Sequence, residues 1–215
     1  LQSVEDVREL ALYPDEADPD GQTLLLSYRS HFTSQESYLR PVVKIEMGAR
    51  SDTWPSEKIA FQAMLSEALP GPVEQERVTV VALSPVRTFW EKAMLLHEEN
   101  FRPASKKRKS RMARHYYDLW CLLRAGIGDK AAQDGSLFNS VADHRRVFFR
   151  QSWVDYGTLC RGGLRVLPSA GEARGWEEDY RAMESYFFPG EEPPPWNRVL
   201  EAIREFEGQF NSAAG

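Results

Sequence analysis

A lysine and a glutamate stand two positions apart in the apolar stretch VVKIEMG, residues 42–48. Side chains alternate between the two faces of a strand, so Lys44 and Glu46 share one face. The opposite face is apolar and suits a core, and it consists of Val43, Ile45 and Met47. A lysine beside a carboxylate could hold a phosphate and a metal. The same alternation is also typical of a solvent-facing antiparallel strand with two ordinary charges.

A second lysine, Lys92, lies on a helix predicted from Pro85 to about Glu99. The apolar stripe of this helix consists of Phe89, Ala93, Leu96 and His97. Lys92 borders the stripe, so its stem can cover apolar surface while its ammonium reaches a cleft and binds a triphosphate. A lysine at the border of a core, without any ligand, has the same spacing. His97 is expected to be a packing residue.

An aspartate and two arginines share one face of a third element, predicted as a helix over residues 105–124. Asp118 follows Arg114 by four residues and Arg111 by seven. One interpretation is that Arg114 holds Asp118 in place, facing a substrate. The alternative is a surface ion pair at i,i+4 spacing, which contributes only a few tenths of a kcal/mol.

The segment 102–114 is strongly basic. It contains no acid, and its basic residues are Arg102, Lys106, Lys107, Arg108, Lys109, Arg111 and Arg114. These seven charges leave −12 for the remainder of a chain whose net charge is −5. The chain as a whole therefore repels nucleic acid, and any nucleic-acid contact must be local. The segment could hold a polyanion or form a solvated, mobile loop.

Strand patterns precede helix patterns along the chain. Strands are predicted at residues 23–30, 42–48 and 77–83, and helices at residues 1–13, 85–99, 105–124, 141–152, 175–186 and 195–211. Ser84 and Pro85 are the expected N-cap and first residue of the second helix. Residues 56–67 are expected to form a short helix or an irregular excursion, and residues 164–167 a short extended piece. This order predicts an α+β fold.

The composition of the chain and the motifs it lacks exclude several classes of protein. The chain has 215 residues, of which 42% are apolar and 27% charged, as is typical of globular proteins. Two cysteines without a CxxC pair argue against a disulfide scaffold and a zinc site. No signal peptide is present, and no apolar run approaches the roughly 20 residues of a membrane span, so a reducing cytoplasm is expected. The sequence contains no Walker A, GxGxxG, GxSxG or HExxH pattern.

Three segments together resemble the AbiEii/AbiGii toxin family of nucleotidyltransferases. They read PVVKIEMGARSD at residues 41–52, LSPVRTFWEKAMLLHEEN at residues 83–100 and RMARHYYDLWCLL at residues 111–123. Their order and spacing, with DYRAM at residues 179–183, make the resemblance fairly specific, and it covers the chain from about residue 20. It implies a small antiparallel or mixed nucleotidyltransferase-like sheet lobe over residues 1–83, followed by a helical lobe over residues 84–215.

The resemblance also implies roles for individual residues. Lys44 and Glu46 match the family's Lys-x-Glu strand, in which Glu46 would be an acidic ligand of Mg²⁺. Lys92 matches the helix lysine of the site, and Asp118 matches the acidic residue of the last motif, where His115 replaces a frequent further Asp. Glu46, Lys92 and Asp118 are expected around one pocket. The expected substrate-binding residues are Arg111, Arg114, Lys106, Lys107, Arg108 and Lys109.

The opening of the family pattern has no match here. Members begin with a Gly-Ser-type phosphate-binding turn, followed after about ten residues by an Asp-x-Asp pair that binds metals, and neither stands before residue 41. Residues 18–20 have the letters Asp-Pro-Asp, but the proline and the acidic loop around it fit no strand. With a first residue that is not Met, this predicts a chain that has lost an N-terminal segment and is inactive as given.

The function that the resemblance implies for the intact parent is metal-dependent nucleotidyl transfer in a toxin–antitoxin or phage-defence pair. A nucleotide would pass from an NTP to an acceptor such as the end of a tRNA, with Mg²⁺ as cofactor and a cognate antitoxin as partner. The alternative is a non-catalytic module that binds nucleic acid or protein through the basic residues 102–114.

Overall fold

The computed structural model of the chain describes residues 10–29, 41–48, 52–62, 77–183, 187 and 192–213. Within these ranges, strands precede helices, and the predicted α+β fold is confirmed. The strands are β1 (Ala11–Pro14), β2 (Thr23–Ser27), β3 (Val42–Glu46), β4 (Ser56–Gln62) and β5 (Arg77–Leu83). The helices are α1 (Pro85–Asn100), α2 (Arg114–Arg124), α3 (Ile127–Gln133), α4 (Gly135–Phe148), α5 (Ala173–Arg181) and α6 (Trp196–Ser212), with a short 3₁₀ turn at Tyr156–Thr158.

The chain divides into two compact units. The first comprises Leu1–Ser51 and Arg181–Pro193, and the second comprises Asp52–Tyr180 and Pro194–Gly215. The β4–β5 hairpin therefore belongs to the same unit as most of the helices. The division into lobes at residues 83 and 84 stays a prediction.

The first unit contains an antiparallel sheet in the order β1-β2-β3. Leu25 pairs with Lys44 on one side and with Tyr13 on the other, so the strands predicted at residues 23–30 and 42–48 are confirmed in part and pair antiparallel. The predicted helix over residues 1–13 is wrong from Ala11 onward, because that part pairs with β2, and residues 1–9 lie outside the described residues. Pairing with a neighbouring strand outweighs the helix that a short run of apolar residues at helical spacing would favour.

The apolar face of β3 is not buried. Val43, Ile45 and Met47 are 50%, 38% and 51% exposed, so the prediction that this face forms a core is wrong. The alternation of side chains determines which of them share a face. It does not determine whether another element covers that face.

The second unit begins with the hairpin of β4 and β5, which pair in register from Ser56–Leu83 to Gln62–Arg77. The bounds predicted for β5 are confirmed. The helix or irregular excursion predicted over residues 56–67 is wrong for residues 56–62, and residues 63–76 lie outside the described residues. Ile59 opposes Val80 and Phe61 opposes Val78, so this strand depends on partners that are distant in sequence.

Helix α1 begins as predicted. The side-chain oxygen of Ser84 accepts a hydrogen bond from the Val86 N–H, and Pro85 is the first helical residue. The buried side of α1 packs aromatic rings edge to face, with Phe89 at 4.8 Å from Phe206 and Trp90 at 4.8 Å from Phe138, between ring centroids. Helix α1 is thus the buried axis against which α4 and α6 pack.

The later helices exist, but their bounds differ from the predictions. Helix α2 begins at Arg114 instead of residue 105, because residues 101–113 form turns. Helix α4 begins at Gly135 instead of residue 141, since the Asp134 side chain caps it by accepting from the Leu137 N–H. Helix α3 was not predicted. No helix within the described ranges is long and apolar enough to span a membrane.

The predicted extended piece at residues 164–167 is not part of a regular strand, and side chains from the helices satisfy its backbone. Asn211 of α6 donates to the Leu164 carbonyl at 2.8 Å and accepts from the Leu164 N–H at 3.2 Å. Glu207 accepts from the Leu167 N–H at 2.9 Å. Tyr116 of α2 donates to the Val166 carbonyl at 2.8 Å. This segment therefore links α2 and α6 through hydrogen bonds.

Candidate functional site

Two of the predicted site residues meet. The ammonium of Lys92 on α1 lies 2.6 Å from the Asp118 carboxylate on α2, and the two residues are 26 positions apart in sequence. Their side chains are 25% and 37% exposed, so the pair lies at the edge of the packed helices and faces solvent in part. A charge pair in this position remains accessible to an anionic ligand.

His115 lies beside this pair. Its side chain is 13% exposed, and its Nδ1 atom lies 3.9 Å from the Asp118 carboxylate. Burial, together with the positive charges of Lys92 and Arg114, lowers the pKa of His115 to about 4. The imidazole is therefore neutral at pH 7. His115, which stands where the family often has an aspartate, adds no negative charge to the site.

The predicted Arg114–Asp118 pair is wrong. Lys92 takes the carboxylate of Asp118, and among the described residues no ion pair joins Asp118 to the exposed Arg114. Spacing within one helix identifies neighbours on that helix only. It gives no information on a lysine that reaches the carboxylate from another helix.

A buried network of charged residues lies beside Lys92, on helices α1 and α4. It was not predicted from the sequence. Arg145 of α4 binds Glu98 of α1 at 2.7 Å and Glu91 of α1 at 3.1 Å. The side chains of Arg145 and Glu98 are 6% and 4% exposed. Burial raises the pKa of Glu98, and the hydrogen bonds and charge of Arg145 oppose that rise. The network fixes two turns of the helix that carries Lys92.

Arg87 extends the network toward the hairpin. Its guanidinium is fully buried and donates to the Glu91 carboxylate at 3.2 Å, to Asp52 at 3.0 Å and to the Trp54 carbonyl at 2.5 Å. Glu91 is therefore shared by Arg87 and Arg145, directly beside Lys92. The i,i+4 spacing of Arg87 and Glu91 is a signal in the sequence. Nothing in the sequence links Arg145 to either glutamate.

Lys44 and Glu46 pair with each other in the first unit, at 2.8 Å, with side chains that are 49% and 70% exposed. The hydrogen bond that Lys44 donates to Glu46 raises the pKa of Lys44, while partial desolvation opposes the rise. Asp15 adds a second carboxylate at 3.8 Å from the Lys44 ammonium. The carboxylate of Glu46 is thus already neutralised by a lysine.

The acidic residues between β1 and β2 form a turn. Asp18 accepts from the backbone N–H groups of Asp20 and Gln22, so this Asp-Pro-Asp is a turn, as predicted, and not a strand motif. Across the described part of the chain, no group of three or more His, Cys, Asp or Glu residues is placed to hold a metal. Glu46 offers one carboxylate, and octahedral Mg²⁺ would need further oxygen ligands that the described residues do not group around it.

Some residues of the basic segment 102–114 bind acids or aromatic rings of the same chain. Arg102 binds Glu99 at 2.5 Å, and Lys106 lies 4.3 Å from the ring centroid of Trp153. Arg108 lies 3.7 Å from the ring centroid of Trp176. It also binds Glu172 at 2.8 Å. The alternative of a solvated segment is therefore wrong for Arg102 and Arg108, whose charges stack on aromatic rings and pair with acids, whereas Lys106 is exposed beside Trp153.

Two other lysines of the segment are exposed. Lys107 and Lys109 line an open hollow of about 570 Å³, together with Arg108, Ser110, Gly175 and Asp179. Asp179 contributes a carboxylate to this lining. Both of its oxygens already accept backbone hydrogen bonds, from the N–H groups of Arg111 and Ala113.

The predicted site residues are divided between the two units. Lys44 and Glu46 belong to the first, whereas Lys92, Asp118 and the basic segment belong to the second. The convergence of Lys92 with Asp118 is observed. The convergence of Glu46 with them stays a prediction.

Lysine–carboxylate pairs lie on a β-strand and on two packed helices of this α+β chain, at positions that match the family resemblance seen in the sequence. The sequence model of the family described as "Nucleotidyl transferase AbiEii toxin, Type IV TA system" matches residues 2–202, and the chain belongs to this family. The assignment supports nucleotidyl transfer as the family's activity. No curated protein and no solved structure matches the chain.

His97 is a packing residue, as predicted. Its Nδ1 atom accepts from the Arg165 N–H at 3.0 Å, and its Nε2 atom lies 3.1 Å from the Thr158 hydroxyl. Because Nδ1 is an acceptor, this network assigns the ring proton to Nε2. Burial, together with the charge of Arg165, lowers the pKa of His97 from 6.5 to about 4.

We expect His97→Gln to reduce the loss of stability in acid. Between pH 6.5 and about 4, the unfolded chain binds a proton at this residue and the folded chain does not, so the free energy of unfolding falls as the pH falls. The contribution of His97 reaches on the order of 3 kcal/mol at the acid end of this range. The measurement is urea unfolding followed by tryptophan fluorescence, and all tryptophans lie in the second unit: Trp54, Trp90, Trp120, Trp153, Trp176 and Trp196.

The difference between wild type and His97→Gln isolates this residue, because all other titrating groups are common to both proteins. Equal slopes of unfolding free energy against pH in the two proteins would contradict the assignment.

Proposed function

We propose that this protein transfers a nucleotide from an NTP to an acceptor hydroxyl, as a toxin of a type IV toxin–antitoxin pair. The observation that carries the proposal is the contact of Lys92 with Asp118 at 2.6 Å. These two residues match separate motifs of the family and have no local reason to meet. A cognate antitoxin, an RNA acceptor such as the end of a tRNA, and action in the cytoplasm belong to the same proposal.

Lys92 is the residue that we assign to the triphosphate. Its ammonium is a compact charge that suits phosphate oxygens, and Asp118 holds it at the partly exposed edge of α1. An incoming triphosphate competes with one carboxylate for this ammonium. A phosphate group offers several charged oxygens, so the triphosphate can replace the Asp118 carboxylate as the partner of Lys92. The ammonium then lies where negative charge develops during transfer.

The reaction needs one bond formed and one broken. The acceptor hydroxyl oxygen bonds to the α-phosphorus, the bond from that phosphorus to the bridging oxygen breaks, and pyrophosphate leaves. We assign Glu46 as the acidic group that orients the attacking hydroxyl and accepts its proton. A carboxylate is also the ligand type that Mg²⁺ prefers, so Glu46 is our candidate for a metal ligand.

Replacement of Lys92 or Glu46 by Ala is expected to abolish nucleotide incorporation and to leave stability nearly unchanged. Both side chains belong to exposed or partly exposed ion pairs, which contribute about 0–1 kcal/mol each. The measurement is incorporation of labelled NTPs into total RNA by the protein encoded by the complete gene. The matched controls are Lys130→Ala and Glu201→Ala, which remove an exposed lysine and an exposed glutamate from α3 and α6.

Wild-type incorporation by Glu46→Ala would remove Glu46 from the site, and the same result for Lys92→Ala would remove Lys92. If the wild type incorporates no NTP, nucleotidyl transfer itself is not the activity, and the second candidate function below is favoured.

The second candidate is binding of nucleic acid without chemistry. The observation that favours it is the pair of exposed lysines, Lys107 and Lys109, at the hollow of about 570 Å³. A single-stranded backbone carries one phosphate per nucleotide, so two neighbouring ammonium groups suit it. In the enzyme, the same hollow would hold the acceptor.

The double variant Lys107→Ala/Lys109→Ala is expected to weaken binding of a single-stranded RNA oligonucleotide and to flatten its salt dependence. Loss of two phosphate contacts lowers the slope of log K against log salt by about 1.4. The measurement is fluorescence anisotropy over a series of salt concentrations. Lys106→Ala is the matched control, because that ammonium stacks on Trp153.

If Lys106→Ala flattens the slope as much as the double variant does, binding depends on overall charge and the hollow is not the site. A slope that neither variant changes would remove the basic segment from RNA binding.

A further inference from the structure

Helix α2, which carries Asp118, has no cap of its own. Its N-cap residue is Ala113, which has no side chain that can accept a hydrogen bond. The acceptor comes instead from α5. One carboxylate oxygen of Asp179 accepts from the Arg111 N–H at 2.8 Å, and the other accepts from the Ala113 N–H at 2.7 Å. A single side chain thus takes two backbone donors at the start of α2.

The backbone at this point is unusual. Arg111 has φ of 65°, in the left-handed region that residues other than Gly, Asn and Asp rarely adopt. In the ranges that the structure describes, it is the single residue other than glycine with positive φ. Such a conformation persists only where its surroundings fix it. The two hydrogen bonds to Asp179 hold the backbone at Arg111 and, two residues later, at Ala113, and so supply that constraint.

The direction of α2 depends on this turn. Asp118 lies five residues after Ala113, about 7.5 Å farther along the helix axis at a rise of 1.5 Å per residue. Lys92 belongs to α1, which the buried network of Arg145 fixes independently of Asp179. A change at the start of α2 therefore moves Asp118 relative to Lys92, and leaves Lys92 in place.

We propose that Asp179 is a positioning residue of the site, whose carboxylate fixes the left-handed turn at Arg111 and so sets the contact of Asp118 with Lys92. The proposal rests on the proposed nucleotidyl transfer for its consequence in activity. It assigns a role to the first residue of the DYRAM segment, residues 179–183. The carboxylate of Asp179 is bound to backbone N–H donors. It therefore reduces the positive potential of the lysines in the hollow less than a free carboxylate would.

The test is Asp179→Asn, which retains the size of the side chain and loses the charge and one of its two acceptor oxygens. Hydrogen exchange should accelerate at the amides of Arg111 and Ala113. The kcat for nucleotide incorporation should fall by on the order of 10- to 100-fold, because a small misplacement of a positioned group has this effect. The KM for NTP should change by less than about twofold, because Lys92 stays in place and its contacts with the substrate are retained.

The matched control is Glu178→Gln, which removes the neighbouring carboxylate of α5. Glu178 forms an exposed pair with Arg174 at 2.9 Å, and its loss should change neither hydrogen exchange at the turn nor kcat. Where Asp179→Asn does not fold, Asp179→Ser is measured. Its side chain is one atom shorter and has one oxygen in place of the two that bind Arg111 and Ala113, so it cannot reproduce both hydrogen bonds. The same fall in kcat at constant KM is expected for it.

Faster exchange at the turn with wild-type kcat would overturn the positioning role, and unchanged exchange would overturn the capping role. A wild type that transfers no nucleotide defeats the proposed function and not the inference. In that case the inference is tested by the nuclear Overhauser contact between the Lys92 and Asp118 side chains. The inference predicts a weaker contact in Asp179→Asn, and an unchanged contact would overturn it.

Discussion

The burial of Arg145 between two glutamates of one helix is the constraint on which the second unit depends. A guanidinium that is 6% exposed loses most of its hydration, and this loss is tolerated only when the group is paired and its donors are satisfied. Glu98 takes two donors and Glu91 a third. Both glutamates are on α1, so the side chain of α4 sets the rotation of α1 about its own axis.

The network reaches further through Glu98 and Glu91. Tyr156 donates to the Glu98 carboxylate at 3.3 Å, and Trp153 donates to the Glu98 carbonyl at 3.2 Å. Arg87 carries the contact from Glu91 to the residues that precede β4. The opposite side of α1 packs its aromatic residues against α4 and α6. Because contacts on both sides hold α1, the helix has little freedom to rotate about its axis at Lys92. The ammonium of Lys92 contacts Asp118 at the partly exposed edge of the packed helices.

Local signals in the sequence predicted local features well. The Ser84–Pro85 start of α1 depends on two adjacent residues, and the period-2 alternation correctly separates Lys44 and Glu46 from Ile45. Features that depend on a distant partner were missed. The strand β4 exists because β5 pairs with it, and the exposed apolar face of β3 depends on what covers the sheet.

The same distinction explains what could be predicted of the site. Lys92 and Asp118 were found because they match motifs of a family, and no helical periodicity would have joined them. Spacing within one helix predicts Arg114 as the partner of Asp118, and a lysine from another helix pairs with Asp118 instead. Arg145 and Asp179 act across helices through buried or backbone contacts. Their neighbours in sequence give no sign of those contacts.

The most direct measurement of this account is a double-mutant cycle on Arg145 and Glu98, with urea unfolding of the second unit followed by tryptophan fluorescence. Arg145→Met should lower the free energy of unfolding by about 3–5 kcal/mol, because it leaves buried carboxylates without a partner. Arg145→Met/Glu98→Met should recover a large part of that loss, since both buried charges are removed together. A loss below about 1 kcal/mol in Arg145→Met, the value of a surface pair, would contradict the claim that this buried network fixes α1.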